Sequence, residues 1–186
     1  MELDQFIFCL EAVSDVEELT TTEVEKHLEN LAFQHGISTI FKTCDTIEGL
    51  EESLSALLFD DHNFKNYEII YLIMEGEDNA ICISDYYYSL DEIAELFEGK
   101  MKGKIIHFAN IKTLELTNDE AQFFLDVTGA KAISGYGTKF KNIKSYNLDL
   151  EFFKLFQENE NIEEVVETLF EKHYTLCKIL DFRLYY

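Results

Sequence analysis

The chain has 186 residues, the size of a single domain, and 47% of them are hydrophobic, which excludes a disordered chain. It carries 37 acidic residues against 15 Lys and Arg, a formal net charge of -22, and Arg183 is its only arginine. Because proteins bind phosphate groups and base edges mainly through Lys and Arg, this composition argues against direct nucleic-acid binding and against contact with anionic membranes.

Strand and helix patterns alternate along the first part of the chain. Residues 5–10, QFIFCL, are an apolar and aromatic run typical of a strand. Residues 20–36 combine threonine caps, apolar residues at helical spacing and a terminal glycine, which predicts a helix. Residues 37–43 predict a second strand, and residues 46–60 a second helix. The near-continuous apolar run at residues 68–74 indicates a third strand, buried on both faces of a parallel sheet.

The same alternation continues to the last residue. Residues 80–84 predict one arm of a small hairpin, and residues 89–99 predict a capped helix that ends at a glycine. The later segments are a strand, a helix, a strand, one or two helices and a closing strand, at residues 103–111, 117–129, 130–137, 148–178 and 179–186. This order predicts one domain over residues 1–186, a three-layer αβα sandwich with a mostly parallel central sheet.

The four cysteines are widely spaced and form no CxxC pair, which favours reduced thiols over disulfides or a zinc site. Cys9 and Cys82 lie in apolar runs and are expected to be inert. Cys44, within KTCDT, is expected to be an exposed loop cysteine. The acidic beginning MELDQFIFCLEAV does not match a signal peptide, so we expect a cytoplasmic protein.

Two predicted loops follow neighbouring central strands. Residues 75–78, EGED, come after the third strand, and residues 110–113, NIKT, come after the fourth. In an open α/β sheet the loops at the carboxyl ends of adjacent strands face one crevice. These two loops are therefore the first place to look for a site.

The segments FIFCLEA, IIYLIMEGEDNAICI, KIIHFANIKTLEL and GAKAISGYG, in this order, resemble the core motifs of the bacterial caspase-like CHAT-type cysteine peptidases of clan CD. In that family the third strand ends in a His-Gly pair, and a catalytic cysteine follows the fourth. Gly76 matches the glycine, but Glu75 stands at the histidine position. Ile111, or Asn110 in a register one residue earlier, stands at the position of the cysteine.

A cysteine peptidase needs an ionisable thiol and a nearby imidazole. The resemblance therefore implies an inactive pseudopeptidase that acts as a protein-binding or regulatory module, in a setting of bacterial defence or regulation. Its contact surface is expected at the degenerate crevice of Glu75, Gly76, Glu77, Asn110 and Ile111. The acidity of this crevice favours a basic protein partner. We expect no cofactor and no metal, and the oligomeric state stays open.

The segment DYYYS supplies a second candidate contact surface, formed by Tyr86, Tyr87 and Tyr88. Three adjacent tyrosines cannot all point inward, so at least one ring should be exposed beside the crevice. The alternative is that the three rings pack along the helix that follows.

Two other functions remain as alternatives. The carboxylates of Glu75, Glu77, Asp78 and Asp85 are hard oxygen ligands, which permits a carboxylate-dependent or metal-dependent hydrolase. The charge also permits an acidic decoy that inhibits a nucleic-acid-binding protein.

Three further motifs are interpreted structurally. His107 lies inside the fourth predicted strand and is expected to be a core or half-buried histidine. The DDH run at residues 60–62 is expected to be a solvated helix end, and the GYG run at residues 135–137 a turn without a phosphate-binding pattern.

Overall fold

Alternating strands and helices build one sheet that is covered on both faces. The computed structural model describes residues 6–18, 21–111, 114–138 and 144–186, without the side chains of Phe6, Asn110 and Ile111. The strands are β1 (Phe6–Ala12), β2 (Ser38–Cys44), β3 (Tyr67–Glu77), β4 (Ala80–Ile83), β5 (Tyr86–Ser89), β6 (Ile105–Ile111), β7 (Ala132–Tyr136) and β8 (Phe182–Tyr185). The helices are α1 (Glu23–His35), α2 (Ile47–Phe59), α3 (Leu90–Leu96), α4 (Asn118–Thr128), α5 (Tyr146–Glu158) and α6 (Ile162–Leu180).

The order of the strands is β2-β1-β3-β6-β7-β8, and β4 and β5 extend from the end of β3. Strands β2, β1, β3, β6 and β7 are parallel to one another, whereas β8 is antiparallel to β7. The predicted three-layer α/β sandwich with a mostly parallel sheet is therefore confirmed. Gln5, Lys112 and Thr113, which belonged to a predicted strand and a predicted loop, lie outside the described residues.

Helices α1 and α3 begin at the caps that the sequence indicated, and α4 begins at a cap of the same kind. The Thr22 hydroxyl accepts a hydrogen bond from the Glu25 backbone N–H at the start of α1. Ser89 and Thr117 each form a reciprocal capping box at the start of α3 and α4. The apolar faces of the helices then pack on the sheet: α2, α3 and α4 cover one face, and α1, α5 and α6 cover the other.

The structure corrects the prediction of an acidic loop after the third strand. Glu75, Gly76 and Glu77 lie within β3, and only Asp78 and Asn79 form the turn into β4. Both turn residues have positive φ angles of 53° and 58°, which Asp and Asn tolerate because their short side chains fit the left-handed conformation. A short turn therefore replaces the longer loop, and β4 and β5 form the predicted hairpin.

Three smaller predictions are also corrected. Asn110 and Ile111 lie inside β6, which confirms the predicted strand end at residue 111 and shows that the predicted loop does not begin at Asn110. Gly135 and Tyr136 lie inside β7, within the strand predicted at residues 130–137 and not in the predicted turn. Cys44 is the last residue of β2 and is only 2% exposed, because the strand runs one residue further than predicted and α2 begins beside it. No helix in the described part of the chain is long and apolar enough to cross a membrane.

Candidate functional site

The direction in which the chain winds reverses between β1 and β3, and this point marks a crevice. The connection from β1 through α1 leads to β2 on one side, whereas β3 lies on the other side of β1. In open α/β sheets such a reversal leaves a crevice at the carboxyl ends of the two strands. Here a cavity of about 140 Å³ lies at this place, lined among others by Glu11, Tyr71 and Ser145. We call it the switch-point crevice.

Glu11, at the end of β1, has a buried carboxyl oxygen that is not hydrogen-bonded within the described part of the chain. Its Oε2 is the one buried side-chain nitrogen or oxygen without a hydrogen-bond partner among the described residues. Burial raises the pKa of the Glu11 carboxyl, while a hydrogen bond with the Thr22 side chain acts in the opposite direction. Glu11 also lines a wider cleft of about 590 Å³, which opens beside the 140 Å³ cavity.

A fully buried polar network lies behind the crevice. His107 Nε2 lies 2.6 Å from Asp149 Oδ1, and His107 Nδ1 lies 2.7 Å from Ser134 Oγ. The hydroxyls of Tyr71 and Tyr136 donate to the same carboxyl group. Ser134, His107 and Asp149 are all 0% exposed. These are the residue types of a Ser-His-Asp catalytic triad, but here all three are fully buried. The network links β3, β6, β7 and α5.

The sheet register explains how the sequence assembles this network. Cys9, Tyr71, His107 and Ser134 are successive partners across β1, β3, β6 and β7, so they form one row on the face that α5 covers. Asp149 enters this row from the first turn of α5. Burial, followed by the charge of Asp149, raises the pKa of both tyrosine hydroxyls well above the ordinary value, which keeps them protonated as donors.

His107 is a core histidine, as predicted, but its partners Asp149 and Ser134 were not predicted. The available signal was an aspartate at an apolar helix position within LDLEFF, together with a histidine and a serine inside two buried strands. A buried polar residue requires a partner, so these three residue types should have been paired with one another.

The predicted degenerate crevice is only partly assembled. Gly76 of β3 and Ile111 of β6 are Cα partners, so the two positions that the resemblance singled out are neighbours. Gly76 has no room for a side chain, because a Cβ there would lie 1.9 Å from the Ala80 carbonyl oxygen. Glu75 and Glu77, on either side of it, are exposed.

The three adjacent tyrosines do not form one surface. Tyr88 is 9% exposed and belongs to the core, whereas Tyr86 and Tyr87 are 51% and 54% exposed. Alternation along β5 places Tyr86 and Tyr87 on opposite faces of the hairpin. Tyr87 lies opposite Cys82, and its hydroxyl donates to Glu77 Oε1 at 3.4 Å. We call the surface formed by Glu77, Cys82 and Tyr87 the hairpin face.

The accessible thiol is Cys82 and not Cys44, which was predicted to be exposed. Burial raises the pKa of Cys9, and it raises the pKa of Cys44 and of Cys177 to about 11, so none of these three is a ready nucleophile. Cys82, which was expected to be buried, is half-buried on the hairpin face. The described residues contain no group of three or more His, Cys, Asp or Glu side chains arranged to hold a metal ion.

Comparison with known proteins gives a family but no activity. No curated protein matches the chain. The resemblance to caspase-like peptidases is not tested by these comparisons and stays a prediction. The model of a family of unknown function, DUF6642, matches residues 4–186. The chain therefore belongs to the DUF6642 family.

Proposed function

We propose that this protein is a binding module that contacts a basic protein partner through the hairpin face and performs no peptidase chemistry. One observation carries the proposal: the half-exposed ring of Tyr87 is joined to the exposed carboxylate of Glu77. Exposed tyrosines are common anchors of protein interfaces because they bury a large area and lose little side-chain entropy.

The charge around this surface specifies the partner. Glu75 and Glu77 are exposed on the last residues of β3, and Asp78 and Asp85 occupy the two hairpin turns. A Lys or Arg of the partner can stack on the ring of Tyr87 while donating hydrogen bonds to a neighbouring carboxylate. A partner surface rich in Lys and Arg therefore fits better than an acidic or purely apolar one.

The hairpin is held firmly, which favours binding. Ile81, Ile83 and Tyr88 on its inner face belong to the core. At the first turn the Asn79 side chain donates to the Glu115 carbonyl and accepts from the Glu115 N–H, both at 2.7 Å. An anchored surface loses little conformational entropy when a partner binds.

We propose that peptidase activity is absent because of the residues at the positions where the caspase-like family has its catalytic histidine and cysteine. Glu75 cannot transfer a proton as a histidine does, and three of the four thiols are buried. In this proposal the chain is a cytoplasmic pseudopeptidase whose caspase-like scaffold serves regulation or defence in bacteria, as the resemblance implies. Purified protein should not cleave peptide substrates. Cleavage that disappears after treatment with a thiol-alkylating reagent would contradict this part of the proposal.

Affinity capture with matched variants tests the binding surface. Immobilised protein is exposed to an extract of the cells that produce it, and bound proteins are quantified by mass spectrometry. Tyr87→Ala combined with Glu77→Gln should reduce capture of the partner at least tenfold, roughly the effect of one interface hot spot. Tyr174→Ala is the control. Tyr174 lies on α6 and is 60% exposed, so this substitution removes a tyrosine ring of similar exposure from another part of the surface.

Capture by the double variant at the level of the wild type and of the Tyr174→Ala control would refute the hairpin face as the binding surface. A captured partner without a Lys-rich or Arg-rich surface would refute the electrostatic part of the proposal.

A further inference from the structure

The switch-point crevice contains a second arrangement that the proposed function does not use. It lies at the carboxyl ends of β1 and β3, between α1 and the start of α5, and none of its lining residues belongs to the hairpin face. The inner cavity of about 140 Å³ has room for a group of a few non-hydrogen atoms, and the adjoining cleft of about 590 Å³ has room for the rest of a small molecule.

Three of the residues that line the inner cavity carry oxygen atoms that can act only as hydrogen-bond acceptors there. Glu11 Oε2 is buried and has no partner among the described residues. The Tyr71 and Ser145 hydroxyls each donate their single hydrogen to Asp149 Oδ2, so both can only accept further hydrogen bonds. A ligand that fits this place must therefore supply hydrogen-bond donors.

The charges around the crevice favour a cation. Glu11 and Glu23 line the inner cavity, and Glu25 lines the wider cleft together with Glu11. Lys144 also lines the inner cavity, where its charge acts on Glu11, and Lys42 lines the wider cleft. Lys144 is exposed, however, and does not hydrogen-bond to Glu11 Oε2. A buried carboxylate oxygen without a partner costs free energy, and a cationic donor removes that cost.

We propose that the switch-point crevice binds the ammonium group of a small primary amine, with Glu11 Oε2 as its main acceptor. An ammonium group carries three N–H donors on one small charged centre, which matches the acceptors of Glu11, Tyr71 and Ser145. The organic part of the ligand then extends into the wider cleft. A divalent cation fits less well, because no cluster of three metal-ligating side chains occurs among the described residues.

Thermal unfolding with simple probes tests this site in the full chain. The probe is n-butylamine, and the controls are 1-butanol, which has no charge, and tetramethylammonium, which has charge but no N–H donor. An amine at ten times its Kd should raise the Tm by roughly 3–6 °C. The two controls should produce no saturable shift.

Two variants separate this site from the hairpin face. Glu11→Gln should weaken binding of n-butylamine at least tenfold, and Glu77→Gln should bind the amine as the wild type does. If Glu11→Gln does not fold, backbone NMR of the wild type decides: n-butylamine should shift the amide resonances near Glu11 and Ser145 and leave those of β4 and β5 unchanged.

Four outcomes would overturn the proposal. They are no saturable effect of n-butylamine on the wild type, an equal effect on Glu11→Gln, an equal effect of tetramethylammonium, and a shift produced by Mg²⁺ that Glu11→Gln abolishes. Each of these outcomes concerns the switch-point crevice alone, so the proposed protein-binding function, which depends on the hairpin face, is left unaffected.

Discussion

At the scale of single residues, Asp149 is the group on which most of the buried polar structure depends. Its Oδ1 faces His107 and Tyr136, and its Oδ2 faces Tyr71 and Ser145. The surroundings are aromatic, with Phe153 and Phe152 packed against the ring of His107. Water cannot replace a lost partner in such a place, so His107 Nε2 and the hydroxyls of Tyr71, Tyr136 and Ser145 all rely on this one carboxyl group.

The first prediction is that Asp149→Asn strongly destabilises the protein. The amide presents a donor where the carboxyl group accepts on both oxygens, and removal of one partner of a buried charged network costs about 3–5 kcal/mol. Urea unfolding measures the change. Asp126→Asn is the matched control, because Asp126 is exposed and accepts one hydrogen bond from Gln122, worth about 0.2–0.5 kcal/mol. Equal losses in the two variants would show that the network does not stabilise the fold.

The second prediction concerns the pH dependence that Glu11 introduces. Because burial raises the pKa of Glu11 in the folded state above its ordinary value of 4.5, the folded state holds the proton more tightly than the unfolded state. The contribution of Glu11 to the free energy of unfolding therefore falls as the pH rises from 4.5 through the raised pKa, and is constant above it.

Glu11→Gln has no such proton. The stability of this variant relative to wild type should therefore increase across that pH window. Urea unfolding at a series of pH values measures the difference, and a difference that stays constant or shrinks with rising pH would contradict the burial argument.

The third prediction is that Cys82 is the first thiol to react in the folded protein. It is half-buried, whereas Cys9, Cys44 and Cys177 are buried. Under native conditions a thiol reagent such as iodoacetamide should quickly modify about one thiol per protein molecule. In denaturant it should modify all four. Mass spectrometry locates the modification, and Cys82→Ser should abolish the fast reaction. Fast labelling of Cys44 would instead support the exposed loop that the sequence analysis predicted.

At the scale of elements, the hairpin of β4 and β5 depends on a close backbone approach at Gly76. A Cβ at this position would lie 1.9 Å from the Ala80 carbonyl oxygen and 2.9 Å from Ile81 Cα. Both neighbours are backbone atoms, which cannot rotate away as a side chain does. The glycine that the family resemblance singled out therefore has a steric role here.

The fourth prediction is that Gly76→Ala displaces the hairpin and lowers the free energy of unfolding. Overpacking costs about 1–3 kcal/mol, and we expect a loss in the upper part of that range. Urea unfolding gives the loss, and backbone NMR should show altered resonances throughout β4 and β5. Gly99→Ala is the control: its φ is positive but its surroundings are open, so it should cost about 1 kcal/mol and perturb only its neighbours. An unchanged hairpin in Gly76→Ala would refute the close approach.

The elements were predictable from sequence where the signals are local. The caps at Thr22, Ser89 and Thr117, and the apolar run of β3, each depend on residues within a few positions of one another. The turn at Asp78 was misjudged because the four consecutive residues EGED were interpreted as a loop, although the first three of them continue the strand.

The features that sequence analysis missed depend on register between distant segments. Asp149 meets Tyr71 across 78 positions of the chain, and no local pattern indicates this contact. Cys44 is buried because the first turn of α2 packs beside it, which its own neighbours in sequence do not indicate. The switch-point crevice was predictable in principle, since it follows from the order of the strands, but that order is known only from the fold.

At the scale of the whole molecule, most of the net charge of -22 lies on the protein surface. Arg183, the only arginine, is already paired at the protein's own surface, with contacts to Asp181 and Glu115. A molecule of this charge repels copies of itself and attracts basic surfaces over the range of the Debye length. Association with a basic partner should therefore be fast at low salt and weaken as salt is added.

The most direct test of the account is a hydrogen-exchange footprint of the protein with and without the partner that it captures. The account predicts that the amides of β4 and β5 exchange more slowly in the complex, and that this protection is lost with Tyr87→Ala combined with Glu77→Gln. Protection confined to α6 and β8, with exchange in the hairpin unchanged, would contradict the central claim that this protein acts through the hairpin face.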